Sequence, residues 1–363
     1  MAISGTADAA REPLRMFDLC AGIGGFSYAL LPLARTVAYA EKDPHARAVL
    51  SSLASRRIIP TAPIFEDVAA LTSKDPKVPA PHIVCAGFPC QDLSAAGHRA
   101  GLHGPRSSLF FTVRDVVATW QPALVFLENV PCIRRYMPLI DTAMADIGYE
   151  CTWDVFSARD VGAPHLRRRW YCLCAPKDAR NPVVSLAALA DLATPASLGG
   201  EWSTPPQPAM RITAGTKPGN AKRLHALGNS IVPQCARHAF VVLYARAFGL
   251  PPPAIQLPQP WSTPIRIVPP PPPAVSNAKL PPLTAPVVKE AYHTPRASCW
   301  SPPLHLTKRN LSALASQLVY QDTTPRIPRA RVNPQYVEWI MGYPIGYTQV
   351  ENNIEQDTTG QNV

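Results

Sequence analysis

A cysteine that follows a proline in a glycine-containing turn, just after an apolar run, is presented as a nucleophile, and Ala86-Gly87-Phe88-Pro89-Cys90-Gln91 has that form. The run His82-Ile83-Val84-Cys85-Ala86 reads as a buried strand of a parallel sheet, and open α/β sheets gather their sites at the C-terminal ends of such strands. A lone cysteine is more often a small buried hydrophobe. The segments around it decide between the two.

In Phe17-Asp18-Leu19-Cys20-Ala21-Gly22-Ile23-Gly24-Gly25-Phe26 an N-terminal apolar strand breaks into glycines before a helix, a place where backbone approaches a ligand. Glu41, in Ala40-Glu41-Lys42-Asp43, stands about twenty positions beyond those glycines, at the spacing that lets a carboxylate bond ribose hydroxyls. Together they imply an adenosine ligand. A dinucleotide fingerprint requires a third glycine near Ser27, which is missing, so S-adenosylmethionine fits better than a nicotinamide cofactor. A turn of this kind also serves as a plain strand-to-helix connection.

These residues resemble the DNA (cytosine-5) methyltransferase family, whose ordered motifs can be followed through most of the chain. The cofactor loop is similar to Asp18, Cys20, Ala21, Gly22, Gly24 and Gly25, the ribose acid to Glu41, the adenine contact to Asp67-Val68, and the catalytic loop to Gly87-Phe88-Pro89-Cys90-Gln91. Phe126-Leu127-Glu128-Asn129-Val130 resembles the Glu-Asn-Val motif. Pro164-His165-Leu166-Arg167-Arg168-Arg169 resembles the Gln-x-Arg-x-Arg motif, with His165 where glutamine is usual. Ala226-Leu227-Gly228-Asn229-Ser230-Ile231-Val232-Pro233 resembles the motif that closes the cofactor pocket, which implicates Asn229, as the catalytic loop implicates Pro89.

The resemblance implies a class I S-adenosylmethionine-dependent α/β fold, a Rossmann-like sheet with a smaller, irregular target recognition domain. It implies methyl transfer to carbon 5 of a flipped-out cytosine in double-stranded DNA, through a covalent Cys90 adduct at carbon 6. A free cysteine has a pKa of about 8.5, so the fold must lower it. Glu128 then supports the ring as a general acid, which requires a raised pKa. Arg167 and Arg169, two apart, share one face of a strand while Arg168 takes the other. By resemblance Arg169 contacts the base and Arg167 supports the pocket, and Gln91, Ser94, Arg106 and Asn129 belong to the substrate side. The loop after Cys90, with glycines at 97, 101 and 104, suits a moving lid over DNA.

Candidate strands lie near residues 14–19, 36–40, 82–86, 123–127, 150–157 and 169–174, with helical spacing at 44–53, 108–120 and 134–147, which predicts a parallel α/β sheet. The chain has 363 residues and a formal net charge of +10, which favours a polyanionic partner. Nine cysteines without regular pairing, no apolar leader and no long apolar span point to a reducing cytosol, with nucleoid association when bound to DNA. Cys172 and Cys174 have no second cysteine or histidine pair at zinc spacing, so they read as core and no metal is expected. A monomer is expected, with a cognate restriction endonuclease as a possible partner and no membrane.

Domain boundaries follow from composition. A catalytic domain spans 12–249 with a variable insert at 175–222, then a proline-rich linker at 250–286, a recognition region at 287–348 and a tail at 349–363. A short helix is expected at 310–319. Arg331-Val332-Asn333-Pro334-Gln335-Tyr336-Val337-Glu338-Trp339-Ile340-Met341-Gly342-Tyr343-Pro344 resembles the motif that organises the recognition domain, yet it follows Asn229 where the family has it before. The expectation is therefore a rearranged C-terminal half, and a truncation after Gly249 that keeps cofactor binding. A tRNA cytosine-5 methyltransferase and an inactive DNA-binding homologue are the competing functions. Absence of a Cys-Phe-Thr tripeptide argues against the first, and retention of Cys90, Glu128 and Arg169 against the second.

Overall fold

The structure, a computed structural model, describes residues 12–89, 109–179, 182–193, 202, 210–212, 219–251 and 330–350. Seven strands form one sheet: β1 (Leu14–Leu19), β2 (Ala34–Ala40), β3 (Ile64–Phe65), β4 (Ile83–Ala86), β5 (Leu124–Asn129), β6 (Tyr149–Ser157) and β7 (Arg168–Pro176). Their order is β3-β2-β1-β4-β5-β7-β6. Every residue of β4 and β5 is buried, as expected of strands covered on both faces.

One face packs against helices α1 (Gly25–Ala29) and α2 (Pro44–Ser55). The same face carries α5 (Leu186–Leu192), α7 (Pro233–Ala247) and the C-terminal α8 (Pro334–Ile340). The other packs against α3 (Leu109–Trp120) and α4 (Met137–Ala145). Helix α6 (Asn220–Asn229) precedes α7. Asp43 caps α2 by accepting from the Ala46 amide, with Pro44 in the first turn where its missing N–H costs nothing.

The sheet is not wholly parallel. β7 lies between β5 and β6 and runs antiparallel to both. The connection from β6 to β7, residues 158–167, is too short for the dozen or more residues of a helical crossover, so β7 turns back alongside β6. Periodicity locates both strands but carries no direction. The strand order reverses at β1 and β4, whose C-terminal ends release the Asp18 to Gly25 loop and the Gly87 to Pro89 segment side by side.

Two further strands, β8 (Met210–Ile212) and β9 (Ala330–Val332), pair antiparallel. The insert after β7 and the C-terminal segment thus share a ladder. The proline-rich linker, the expected helix at 310–319 and most of the expected recognition region lie outside the described residues. No helix among the described residues is long and apolar enough to cross a membrane.

Residues 333–350 are part of the main core. Tyr336, Trp339, Tyr343 and Tyr347 are buried in the same cluster as α1 and α7. Glu338, buried on α8, accepts from Arg223 Nη2 and the amides of Gly346 and Thr348 at 2.7, 2.7 and 2.8 Å, and from the Thr348 hydroxyl. A buried carboxylate needs such partners, since an unpaired one would cost several kcal/mol. Arg223 belongs to α6, so this network ties the C-terminal segment to the helix leading into Asn229.

Candidate active site

The glycine loop and Glu41 meet. Glu41 Oε2 accepts the Gly22 amide and Oε1 the Asp43 amide, each at 2.7 Å. Its carboxylate is thereby aimed at the loop, and each oxygen keeps a lone pair for a ligand hydroxyl. Asp18 is buried. Its Oδ2 accepts the Ser27 amide at 3.1 Å, while Oδ1 has no partner, and burial holds its pKa well above the ordinary carboxylate range. Cys20, Gly22 and Gly24 all have positive φ, and the Gly24 turn starts α1. Gly25 has no room for a side chain, because a Cβ there would lie 2.7 Å from Ile231 Cγ1 and 2.9 Å from Tyr343 Oη.

The loop is backed from two directions. Tyr343 Oη donates to the Ile231 carbonyl at 3.1 Å, and Tyr347 Oη donates to the Gly24 carbonyl at 3.3 Å. Asp67, expected at the adenine, is exposed and caps the following turn through the Ala69 amide, with Val68 buried behind it. Asn229 is exposed at the end of α6, its Nδ2 3.0 Å from His225 Nε2.

On the neighbouring strands the acid and the arginines come together. Glu128 is the penultimate residue of β5, and its Oε1 is 3.0 Å from Arg169 Nε on β7. A Cβ at Gly87 would stand 3.3 Å from Glu128 Oε2 and 4.0 Å from the Phe26 ring, so the end of β4, Glu128 and α1 converge there. Burial raises the Glu128 pKa, and the Arg169 and Arg167 cations oppose the rise without cancelling it. A carboxyl held in this way keeps its proton to higher pH than a solvated one, as a general acid must.

Arg168 is exposed while Arg167 is buried, which agrees with the expected alternation of faces. Arg167 Nη2 donates to the carbonyls of Gly228, at 2.9 Å, and Ser230. It thus binds the pocket-closing motif to the acid's side of the sheet, with Nε left unpartnered. Burial, reinforced by the Arg169 cation, lowers its pKa to about 9, so the guanidinium stays charged at neutral pH. Asn129 is buried, with both ends of its amide on main chain: Nδ2 donates to the Phe88 carbonyl at 2.7 Å and Oδ1 accepts from Val130 at 2.8 Å. Those bonds fix the residues just before Cys90. Pro89 is described and exposed, whereas Cys90, Gln91, Ser94 and Arg106 lie outside the described residues.

His165 shows what replaces the usual glutamine. Its Nε2 donates to the Ile340 carbonyl at 2.7 Å, which Trp202 Nε1 also approaches at 3.3 Å. Burial, opposed by that bond, pushes its pKa down to about 3 from 6.5. The folded value lies below the unfolded one, so within that window the unfolded chain binds the extra proton. Stability present in full above the unfolded value therefore falls with pH, by about 1.4 kcal/mol per unit. His165→Gln is expected to keep a donor for Ile340 and flatten this acid slope. Melting temperatures of both proteins between about pH 7 and about pH 5 check it, and equal slopes would contradict it.

Sequence reasoning missed Arg223, Tyr347 and Trp202, and it assigned Tyr343 only to the organisation of recognition. A run of aromatics through residues 336–347 was the available signal.

A family model for C-5 cytosine-specific DNA methylase matches residues 14–198. The chain is 30% identical to the Type II methyltransferase M.CviJI of Paramecium bursaria Chlorella virus IL3A, over 64% of this chain and 60% of that protein. It is 32% identical to the Type II methyltransferase M.HhaI of Haemophilus parahaemolyticus, over 46% of this chain and 50% of that protein. These matches thus span about half to three fifths of the relatives' length. The crystal structure of the S. pombe Dnmt2 methyltransferase aligns at a TM-score of 0.37 and 22% identity, covering 49% of this chain and 53% of that one.

Proposed function

The chain belongs to the C-5 cytosine-specific DNA methylase family, and on that premise we propose that it methylates carbon 5 of a cytosine rotated out of duplex DNA. The observation that carries the reading is the ion pair of buried Glu128 with half-buried Arg169 beside Gly87, where the strand leading to Cys90 ends.

S-adenosylmethionine fits the nucleotide side of the site. The Glu41 carboxylate and the positive-φ loop form a cradle with acceptors for a ligand's hydroxyl donors, and the open space at Gly22 lets a ligand approach the backbone. When bound, it supplies an electrophilic methyl on a sulfonium. Glu41→Ala is expected to weaken its binding by roughly 1–3 kcal/mol through lost hydrogen bonds. Calorimetry with the cofactor measures this, and an unchanged affinity would remove the ribose role.

The chain's own residues do the rest. The Cys90 thiolate adds to carbon 6 of the ring, and the displaced π electrons make carbon 5 nucleophilic. Protonated Glu128 donates toward N3, stabilising charge as it builds on the ring, while Arg169 fixes the acid's orientation and faces the base. Arg167 and Asn129 act by position, one holding the Gly228 to Ser230 turn and the other the Phe88 carbonyl. Once carbon 5 carries the methyl, a base or water takes the carbon 5 proton and the electron pair of that bond re-forms the ring double bond and expels the Cys90 thiolate.

For recognition, we propose a region assembled from both sides of the rearrangement, because β8 from the insert pairs with β9 from the C-terminal segment. Incubation with methyl-labelled S-adenosylmethionine and either duplex DNA or tRNA tests the function. Label on DNA cytosine is expected, and label confined to tRNA would overturn the substrate assignment.

A further inference from the structure

Three cysteines converge on the opposite face of the sheet from Glu128. Cys172 and Cys174 alternate along β7 and project to the face covered by α3 and α4, whereas Tyr171, opposite Glu128, projects to the other. Cys151 on β6 is the direct antiparallel partner of Cys174. Cys151 Sγ lies 2.9 Å from Cys174 Sγ, and Cys172 Sγ lies 3.7 Å from Cys174 Sγ. All three sulfurs fall within 4.8 Å of one another, the one such grouping among the described residues. Asp141, on α4, lies beside Cys151 at the edge of this grouping, with its carboxylate outside the three-sulfur cluster.

We propose that Cys151, Cys172 and Cys174, with the Asp141 carboxylate, form a structural site for a thiophilic divalent cation of the zinc type. Three sulfurs supply three corners of a tetrahedral set, a turn of the exposed Asp141 side chain toward them supplies the fourth, and soft thiolates select zinc over magnesium or calcium. Zinc–sulfur bonds of about 2.3 Å space tetrahedral sulfurs by about 3.8 Å. Cys172 and Cys174 already stand at 3.7 Å. Cys151 sits closer to Cys174 than the roughly 3.5–4.0 Å at which nonbonded heavy atoms pack best, so turning outward to a shared ion relieves a crowded contact.

Burial sets the route of entry. Cys172 and Cys174 are fully buried, Cys151 is half-buried and Asp141 is exposed, so the site opens at the rim between α4 and β6. On binding, each thiol gives its proton to solvent and its sulfur a lone pair to the cation. The bound ion would fasten the edge strand β6 to β7 and α4. None of these four side chains takes part in the proposed methyl transfer.

The test uses the full chain carrying Cys90→Ser, so that the loop thiol does not compete, purified under reductant and exposed to zinc or cobalt. One retained equivalent by native mass spectrometry is expected, with thiolate-to-metal charge-transfer absorption in the cobalt form. Cys151→Ser and Asp141→Asn, both at the accessible rim, should lower retention by about tenfold or more while leaving the circular dichroism spectrum unchanged. Absence of a retained ion in the parent, or equal retention in Cys151→Ser, would overturn the site. So would a Cys151–Cys174 disulfide that forms in place of metal uptake.

Discussion

Truncation after Gly249 is expected to abolish cofactor binding together with methyl transfer. Sequence order alone suggests the opposite, because every cofactor motif precedes that residue. The contacts reverse the expectation. Tyr343 and Tyr347 hold the Ile231 and Gly24 carbonyls, and Gly25 packs against Ile231 and the Tyr343 hydroxyl. Arg56 Nη1 and Ser52 Oγ on the α2 side donate to the carbonyls of Gly346 and Gln349 at 3.0 Å. Gln234 on α7 donates to the Gly342 carbonyl at 2.9 Å.

Loss of one buried aromatic side chain costs about 3–5 kcal/mol, and a whole domain is stable by only about 5–15. Removing Tyr336, Trp339, Tyr343 and Tyr347 at once therefore strips the cofactor loop of its backing. Calorimetric titration of the truncated chain with S-adenosylmethionine should give no binding heat. Replacing residues 252–329 with a flexible linker, which leaves 330–350 in place, should restore it. Normal affinity in the truncated chain would show that the C-terminal segment does not support the loop.

Local patterning made the central sheet legible, because strands buried on both faces read as unbroken apolar runs. The glycine turn between β1 and α1 was legible from its glycines, and the place of Glu41 just after β2 from its spacing. What stayed hidden lies in long-range pairing. Arg167 was recognisable as a pocket residue, but its partners are main-chain carbonyls, which carry no side-chain signature. The Tyr347 contact with Gly24 joins opposite ends of the chain, and motif order placed Tyr343 in recognition alone. Cys151 is invisible as a partner of Cys174 until β6 and β7 are known to run antiparallel. Motif spacing finds groups that share a turn or a strand end, whereas register decides which distant thiols meet.

Glu128→Gln is expected to lower single-turnover methyl transfer by on the order of 100-fold or more, with cofactor affinity unchanged. Glutamine keeps the shape and a hydrogen-bond donor but cannot carry the transferable proton. It also loses the charge-assisted contact with Arg169, 3.0 Å away in the native pair. Cofactor affinity is spared because Glu41, Gly22 and Asp18 belong to a different loop from the acid. The pH dependence separates acid catalysis from damaged packing. Burial raises the Glu128 pKa, so the protonated, active form is lost as pH climbs through that raised value, and the rate falls on that side. Deprotonation of Cys90 acts in the opposite sense, lifting the rate as pH rises. Native protein should therefore show both limbs, and the glutamine variant only the rising one. Arg169→Ala supplies the converse. Without that cation the carboxylate is less stabilised, the pKa rises further, and the falling limb moves to higher pH. A glutamine variant that keeps the falling limb would assign it to another group, and an unchanged single-turnover rate would remove Glu128 from the chemistry.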